Sequence, residues 1–368
     1  MSILAFAALL AWIWLFLLHG HFWQGGPRLP RARPRATPPV AIIVPARDEA
    51  ATIGPVIASL LAQDYAGPFR VILVDDNSSD ATAALARALP DPQARLTVLT
   101  GTERPAGWAG KLWAVHQGIS ASTDELVFLT DADIVHEASH LATLVAGMES
   151  TGAGMVSEMV ALNCTSFAER ALIPAFVYFF AMLYPFSRVN NPNSTLAAAA
   201  GGTMLIRRAA LARIGGIEAI KGELIDDVAL ARAVKGHAPI WLGHSSEARS
   251  IRPYPHFADI WRMIARSAYV QLRHAPLRLA GCVLGMVFLF FMPVISLFLD
   301  MHGLNGAVFL MGWTFLPALS RAGLSAFWVL ALPLIALFYV AATIGAAIDH
   351  HRGRGVMWKN RAYPGAQP

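Results

Sequence analysis

An α/β fold, with a mostly parallel sheet flanked by helices and membrane-length apolar helices at both ends, is what this sequence predicts. Three observations predict it. From residue 40 onward, short apolar runs alternate with stretches of helical spacing. Two of those runs lead directly into acidic clusters, Asp75-Asp76 and Asp131-Ala132-Asp133. Long apolar segments at 3–18, 279–299 and 324–348 bracket the polar part of the chain.

Residues 3–18 are uninterrupted apolar sequence. A bilayer crossing takes roughly 20 residues, a length reached here only if Phe22 and Trp23 extend the segment at the interface. A cleaved signal peptide is the rival, but no basic n-region precedes the run, and Gly20-His21-Phe22-Trp23 is a poor cleavage site. An anchor over 1–23 is therefore expected. Arg28, Arg31, Arg33 and Arg35 follow it, which by the positive-inside rule puts the next domain in the cytoplasm. The basic, Pro-rich stretch 24–37 reads as a stiff spacer with a lipid-attracting face.

Strands are expected over 40–44, 69–74, 96–99 and 126–129, with helices over 53–61 and 82–89. Short strands separated by helices make βαβ units and a sheet covered on both faces. The soluble part, 38–276, is long enough for one substantial core. Within it, 171–186 is apolar, rich in Phe and Tyr, and broken by Pro174 and Pro185. It suits a buried core helix or an interfacial one, whereas a full crossing would strand Asp226-Asp227 opposite the other acidic pairs. In the membrane region 277–349, segments 279–299 and 324–348 are expected to span, and the shorter 307–319, with Pro317, to be re-entrant or interfacial. Arg352, Arg354, Lys359 and Arg361 make the tail 350–368 basic and cytoplasmic.

Only 14% of the chain is charged, against about 25% in ordinary soluble domains. The net charge of +5 comes with basic residues that flank apolar segments. Without an aromatic–basic pattern, nucleic acid is not the expected partner. Cys164 and Cys282 form neither a disulfide framework nor a CxxC metal site.

The chemistry points to the acidic clusters. Asp131 and Asp133 follow a buried strand, so their carboxylates sit where a parallel sheet delivers side chains to a ligand. A hard divalent ion takes one or two such carboxylates plus substrate phosphates; elsewhere a D-x-D triplet is an ordinary turn. In Asp75-Asp76-Asn77-Ser78-Ser79-Asp80, an N-cap explains Ser79 or Asp80. It does not explain the two preceding carboxylates, which can accept from a base N–H and ribose hydroxyls. Gly107-Trp108-Ala109-Gly110-Lys111 sets a cation at a helix start, a phosphate-attracting arrangement, although a solvated Lys looks the same in sequence. A P-loop is excluded by Leu112 and by the glycine spacing. Asp226 and Asp227 open an amphipathic helix, where acids complement the macrodipole. As a pair, they also push their pKa values apart, as a general base requires. Ala200-Gly201-Gly202-Thr203 is small enough for close approach to the backbone.

In order, Val44-Pro45-Ala46-Arg47-Asp48-Glu49, Val74 to Asp80, Gly110-Lys111, Thr130 to Asp133, Gly201-Gly202-Thr203-Met204-Leu205 and Asp226-Asp227 resemble the motifs of family 2 inverting glycosyltransferases of the GT-A fold. The chain is most similar to the hopanoid biosynthesis-associated members in Ala197 to Gly202, Leu224-Ile225-Asp226-Asp227, Ser250-Ile251-Arg252-Pro253-Tyr254 and Trp261 to Leu272. The resemblance implies single-sugar transfer from a nucleotide-diphosphate sugar, a UDP-sugar among the options, to a hopanoid or related lipid hydroxyl. The implied setting is the bacterial cytoplasmic membrane. Pro45, Ala46, Arg47, Glu49, Asp75, Asp76, Lys111, Asp131, Arg252 and Arg266 would bind the nucleotide sugar. Asp131 and Asp133 would hold Mg2+ or Mn2+, and Asp227 would be the catalytic base. Gly201, Gly202, Thr203 and Asp226 would lie on the acceptor side. Asp48 stands where the family has Asn, and Asp226 where it has Glu. Ser267 follows Arg266, so the Q-x-x-R-W signature of processive synthases is absent. One rival acceptor is a polyprenyl phosphate, with Arg207-Arg208 as its cations. A rival of another class is a non-catalytic membrane scaffold.

Overall fold

A computed structural model of the chain describes residues 2–298, 305–353, 357–358 and 361–362. In chain order the elements begin α1 (Ser2–Leu17), β1 (Val40–Ala46), α2 (Ile53–Leu61), β2 (Phe69–Asp75), α3 (Thr82–Arg87), β3 (Leu96–Thr100), α4 (Gly110–Ser120) and β4 (Leu126–Thr130). Then come β5 (Ile134–His136), α5 (His140–Thr151), β6 (Met155–Ala161), α6 (Phe167–Leu183), α7 (Phe186–Asn190), β7 (Thr203–Arg207) and α8 (Arg208–Arg213). They end with α9 (Asp226–Lys235), β8 (Ile240–Ser250), α10 (Phe257–Gln271), α11 (Pro276–Phe298), α12 (Gly306–Arg321) and α13 (Leu332–His351). Packing divides them into a sheet unit, 27–162 with 189–252, and a helical unit drawn from 2–26, 163–188, 253–298 and 305–353.

The sheet unit is built on eight strands in the order β3-β2-β1-β4-β7-β6-β8-β5. The first four are parallel neighbours, as the alternating pattern predicts. In the other half β6 and β8 are parallel neighbours, while β7 runs antiparallel to β4 and β6, and β5 antiparallel to β8, so the sheet is mostly parallel, as expected. Every residue of β1 and β4 is buried, which is why both read as continuous apolar runs rather than alternating ones. β1 continues through Pro45, beyond its predicted end. Its pairing with β4 has stopped at Ile43, so the missing Pro N–H breaks no ladder on that side. The chain leaves β1 for β2 on one side and reaches β4 on the other. The crevice of an open α/β sheet lies at such a switch point, beyond the carboxyl ends of the strands. Ala46 and Thr130 end there.

The basic stretch after Gly26 is not a free spacer. Leu29 is buried against Gly147, where a Cβ would come within 2.5 Å of it. Arg31 pairs with Glu247 at 2.9 Å and Arg33 with Asp64 at 2.8 Å.

In the helical unit, α1 stops at Leu17, and the chain turns through Gly20 (φ 64°) and His21 (φ 49°). The expected extension through Phe22 and Trp23 does not occur: Trp23 folds back, its ring stacked on Phe16 at 4.8 Å. Segments Pro276–Phe298 and Ala326–His351 are long and apolar enough to cross a membrane. On them Leu284 is 69% exposed and Phe327 82% exposed. Leu299, Arg354 and Lys359 lie outside the described residues. The apolar stretch at 171–186 forms most of α6, a packed helix of this unit. Its Leu172 carbonyl accepts a hydrogen bond from the Tyr339 hydroxyl at 2.9 Å, and its Tyr178 hydroxyl meets that of Thr314 at 3.0 Å. Ser166 and Glu169 cap α6 reciprocally.

Candidate active site

Beyond the ends of β1 and β4, the sheet unit gathers acidic and basic side chains from five separate stretches of sequence. Lys111 lies in the first turn of α4, and its ammonium is 2.9 Å from Asp131 Oδ1 and 3.1 Å from Asp226 Oδ2. Asp227, next to Asp226 at the start of α9, accepts the Gly201 N–H at 2.9 Å on Oδ2 and the Val228 N–H at 2.7 Å on Oδ1. A Cβ on Gly201 would sit 3.4 Å from that Oδ2 and 3.6 Å from the Lys111 ammonium, in ordinary van der Waals contact with both. Lys111, Asp131, Gly201 and Asp226 line a narrow cleft together with Pro45, Thr130 and Met204.

One ammonium thus faces three carboxylates, and the electrostatics follow. Burial works against the charge on Lys111, but Asp131 and Asp226 outweigh it and hold the ammonium well above its usual range. Asp227 is pushed up to about 7, first by burial and then by Asp226, with Lys111 and the two backbone N–H groups opposing. A carboxylate near 7 can exchange a proton at working pH.

A second cluster lies at the same strand ends. Arg252 donates from Nε to Asp133 Oδ2 at 2.5 Å and from Nη2 to Glu49 Oε1 at 2.6 Å. Its guanidinium is raised further by those two carboxylates, despite burial. Glu49 is placed by its own N–H, which donates to Thr82 Oγ1 at 2.8 Å. Before it, Asp48 has φ 51°, a left-handed conformation that Asn and Asp tolerate best. Its Oδ1 accepts the Ser79 N–H at 2.7 Å. Asn, which the resembled family has here, could adopt the same backbone and accept the same bond.

Asp75 and Asp76, at the end of β2, are both buried. Arg47 Nη1 donates to the Asp76 carbonyl at 2.5 Å and lies 3.8 Å from its carboxylate. Asp75 Oδ1 accepts from the Ser78 N–H at 3.3 Å and from the Ser78 hydroxyl. Asp80 Oδ1 accepts the Thr82 N–H at 3.0 Å, one step from the expected cap, since Ala81 is the cap residue of α3.

Asp131 and Asp133 offer hard oxygen donors of the kind Mg2+ and Mn2+ take, with substrate phosphates completing the shell. Both already face a cationic side chain, and the Lys111 cluster holds more negative than positive charge, so the donor set fits a divalent ion. Among the described residues no group of three or more His, Cys, Asp or Glu closes into a complete cage.

Arg266, grouped with the nucleotide-binding residues in the sequence, lies exposed on α10 of the helical unit. Thr203 is fully buried as the first residue of β7. Arg207 registers against Leu126, at the opposite end of β4 from Thr130. Arg208 bonds the Asp124 carbonyl at 2.5 Å. This pair is therefore not at the cleft. Sequence reasoning missed Ser157, whose hydroxyl accepts the Ala200 N–H at 2.8 Å and so fixes the loop carrying Gly201. It also missed a buried row of His136, His140 and Glu158 behind Thr130. The i, i+4 spacing of the two histidines is the one trace of that row in the sequence.

Residues 41–215 match the sequence model of the family described as Glycosyl transferase family 2. A succinoglycan biosynthesis protein of Rhizobium meliloti is 34% identical over 116 residues, 32% of this chain and 31% of that protein. The beta-monoglucosyldiacylglycerol synthase of Synechocystis is 29% identical over 157 residues, 34% of this chain and 32% of that protein. The chain thus spans about a third of the length of these curated relatives. A mannosyltransferase from Pyrobaculum calidifontis, solved with GDP-Man and Mn2+, superposes with a TM-score of 0.56 at 21% identity, covering 94% of this chain and 97% of that one. The likeness is one of fold.

Proposed function

Because residues 41–215 form a glycosyltransferase family 2 domain and the chain has the GT-A fold, we propose that this glycosyltransferase is membrane-bound and inverting, and moves one sugar from a nucleotide-diphosphate donor to a lipid hydroxyl. The observation that carries the proposal is Asp227: a half-buried carboxylate held near neutrality, oriented by the Gly201 N–H, beside Asp226, which lines the same cleft as Lys111 and Asp131. In its ionised form it takes the acceptor hydroxyl's proton as that oxygen attacks the anomeric carbon, a service worth about 10²–10⁴-fold. Asp226 and Lys111 set its proton affinity. Arg47, Glu49, Asp75 and Asp76 bind the nucleoside, and Lys111 and Arg252 supply positive charge for the diphosphate. Asp131 and Asp133 would hold Mg2+ or Mn2+, which when bound stabilises the departing diphosphate as a Lewis acid.

A hopanoid side chain is the acceptor we favour, supported by the resemblance of the 197–202, 224–227 and 250–254 motifs. A relative named for a glucosyldiacylglycerol and the exposed apolar surfaces of α11 and the 326–351 segment support a lipid acceptor in general. We place the enzyme in the bacterial cytoplasmic membrane as a multi-pass protein, with the sheet unit in the cytoplasm. That orientation is supported by the arginines after residue 26 and by Arg352 after α13.

The test is thin-layer chromatography of lipids after incubation with a labelled nucleotide sugar and either a hopanoid alcohol or a polyprenyl phosphate. Label in the hopanoid supports the proposal, and label in the polyprenyl phosphate alone replaces the acceptor. Absence of donor binding and of any labelled lipid would make the protein a scaffold. EDTA should abolish transfer and Mn2+ or Mg2+ restore it; full transfer without metal removes the role given to Asp131 and Asp133.

A further inference from the structure

Behind the cleft, a row of buried polar side chains crosses the sheet unit from β4 to β6. The Thr130 hydroxyl lies 2.8 Å from the Gly202 carbonyl and 3.0 Å from His136 Nε2. His136 Nδ1 is 2.8 Å from His140 Nδ1, and His140 Nε2 is 2.9 Å from Glu158 Oε2. His140 is fully buried, Glu158 is 3% exposed, and Thr130 and His136 are buried with them. A polar row so enclosed is stable only if every member is satisfied.

Counting protons fixes the direction of the bonds from Gly202 as far as His140. A carbonyl can only accept, so Thr130 spends its one hydroxyl proton on Gly202. At its second contact Thr130 must accept, and His136 therefore donates from Nε2. His136 is neutral, because burial and the neighbouring His140 hold its imidazole well below its ordinary value. A neutral imidazole has one N–H, so His136 Nδ1 is the acceptor and His140 donates to it from Nδ1. One proton remains for the contact between His140 Nε2 and Glu158 Oε2. Apart from His136 and Glu158, the charged groups facing His140 are Glu247 and, through it, Arg31.

The row ends at the backbone that orients the proposed base. Gly202 follows Gly201, whose N–H points at Asp227 Oδ2. The other side of this turn is held by Ser157, which accepts the Ala200 N–H at 2.8 Å and donates to the Ala200 carbonyl at 3.1 Å. We propose that Thr130, His136, His140 and Glu158 are positioning residues for transfer, a one-directional hydrogen-bond row that locks the Gly202 carbonyl and thereby aims the Gly201 N–H at Asp227. The proposal rests on Asp227 being the base. None of the four touches substrate; they act through the turn.

The test has two arms. In the first, ¹⁵N NMR of the histidine rings in the unmodified full-length protein should find His136 protonated on Nε2 alone and His140 protonated on Nδ1. A proton on His136 Nδ1 overturns the proposal, whatever the activity. The second compares Thr130→Val, which removes the hydroxyl at nearly constant shape, with Thr130→Ser, which keeps it. The probe is whichever of labelled UDP-glucose and GDP-mannose the enzyme turns over with bacterial total lipid. For Thr130→Val, kcat should fall roughly tenfold, the size of one buried neutral hydrogen bond, with the donor KM within twofold; Thr130→Ser should stay within threefold of the wild type. Unchanged kcat in Thr130→Val, or a loss confined to KM, contradicts the row. If Thr130→Val does not fold, Glu158→Gln stands in. Its amide can donate to His140 Nε2 and preserve the order, so near-normal turnover is expected, and a loss comparable to that of Asp227→Asn is contrary. Wild-type turnover in Asp227→Asn would remove the base and leave the NMR arm to decide on the row alone.

Discussion

Two charge clusters stand at the same strand ends, and they are built on opposite plans. Around Arg252, one guanidinium meets two carboxylates through two directed bonds, at 2.5 Å to Asp133 and 2.6 Å to Glu49. A planar fork matched to two acceptors is a satisfied arrangement. Around Lys111, one compact ammonium pairs with Asp131 at 2.9 Å and Asp226 at 3.1 Å while Asp227 adds a third negative charge beyond them, so a single positive charge faces three carboxylates. The difference teaches where reactivity comes from. The matched cluster ties the segments after β1 and β4 to the segment after β8. In the Lys111 cluster Asp227 is held up at about 7, and burial raises Asp131 as well.

Breaking the overcommitted cluster at its proton acceptor should have the largest effect. Asp227→Asn keeps the shape and can keep an acceptor for the Gly201 N–H, so donor binding should persist while turnover falls by about 10²–10⁴-fold; initial rates with a labelled nucleotide sugar check this. The same variant carries a stability signature. Because the folded carboxyl sits at about 7, above about 3.9 for an unfolded Asp, ionising it costs the native state stability as pH rises through that window. Asp227→Asn should therefore melt higher relative to wild type at pH 8 than at pH 4.

Removing the shared cation comes next. Lys111→Met leaves Asp131, Asp226 and Asp227 facing each other, so the acid limb of turnover should move up by roughly one pH unit or more, and the donor KM should rise. An unmoved limb would mean that Lys111 does not set the proton affinity of Asp227. The smallest catalytic effect belongs to the matched cluster. Arg252→Met strands Asp133 and Glu49 and should cost about 1–3 kcal/mol of stability, read as a lowered Tm, while the acid limb stays in place.

The contrast also explains what could be read from the sequence. Strands β1, β2 and β4 are nearly all buried, and such strands appear as unbroken apolar runs with acids at their ends, which is why Asp75, Asp76, Asp131 and Asp133 were visible. β8 was not: its HSSEARS stretch looks like a loop, yet most of it is buried, with Glu247 satisfied by Arg31 and Ser139. Polar strands stabilised by tertiary hydrogen bonds have no periodic signature. Lys111 could be singled out, but its pairing with Asp226, far along the chain, is a product of the sheet. The turn at Gly20 and His21 ends α1 where the apolar run continues to its aromatic pair, since hydropathy records where a segment is greasy and not where its backbone reverses. Asp227 stood out as one of a pair; the Gly201 N–H that aims it did not, because a backbone donor has no letter of its own.

The central claim is that Asp227 must be ionised for sugar to move. The pH dependence of kcat for the wild-type enzyme, measured between pH 5 and 9 with a labelled nucleotide sugar and lipid acceptor, tests it most directly. The account predicts a rate that rises with a midpoint near the value of about 7 held by Asp227, falls about tenfold per unit below it, and loses that limb in Asp227→Asn. A wild-type rate level from pH 5 upward, or the same limb persisting in the variant, would contradict it.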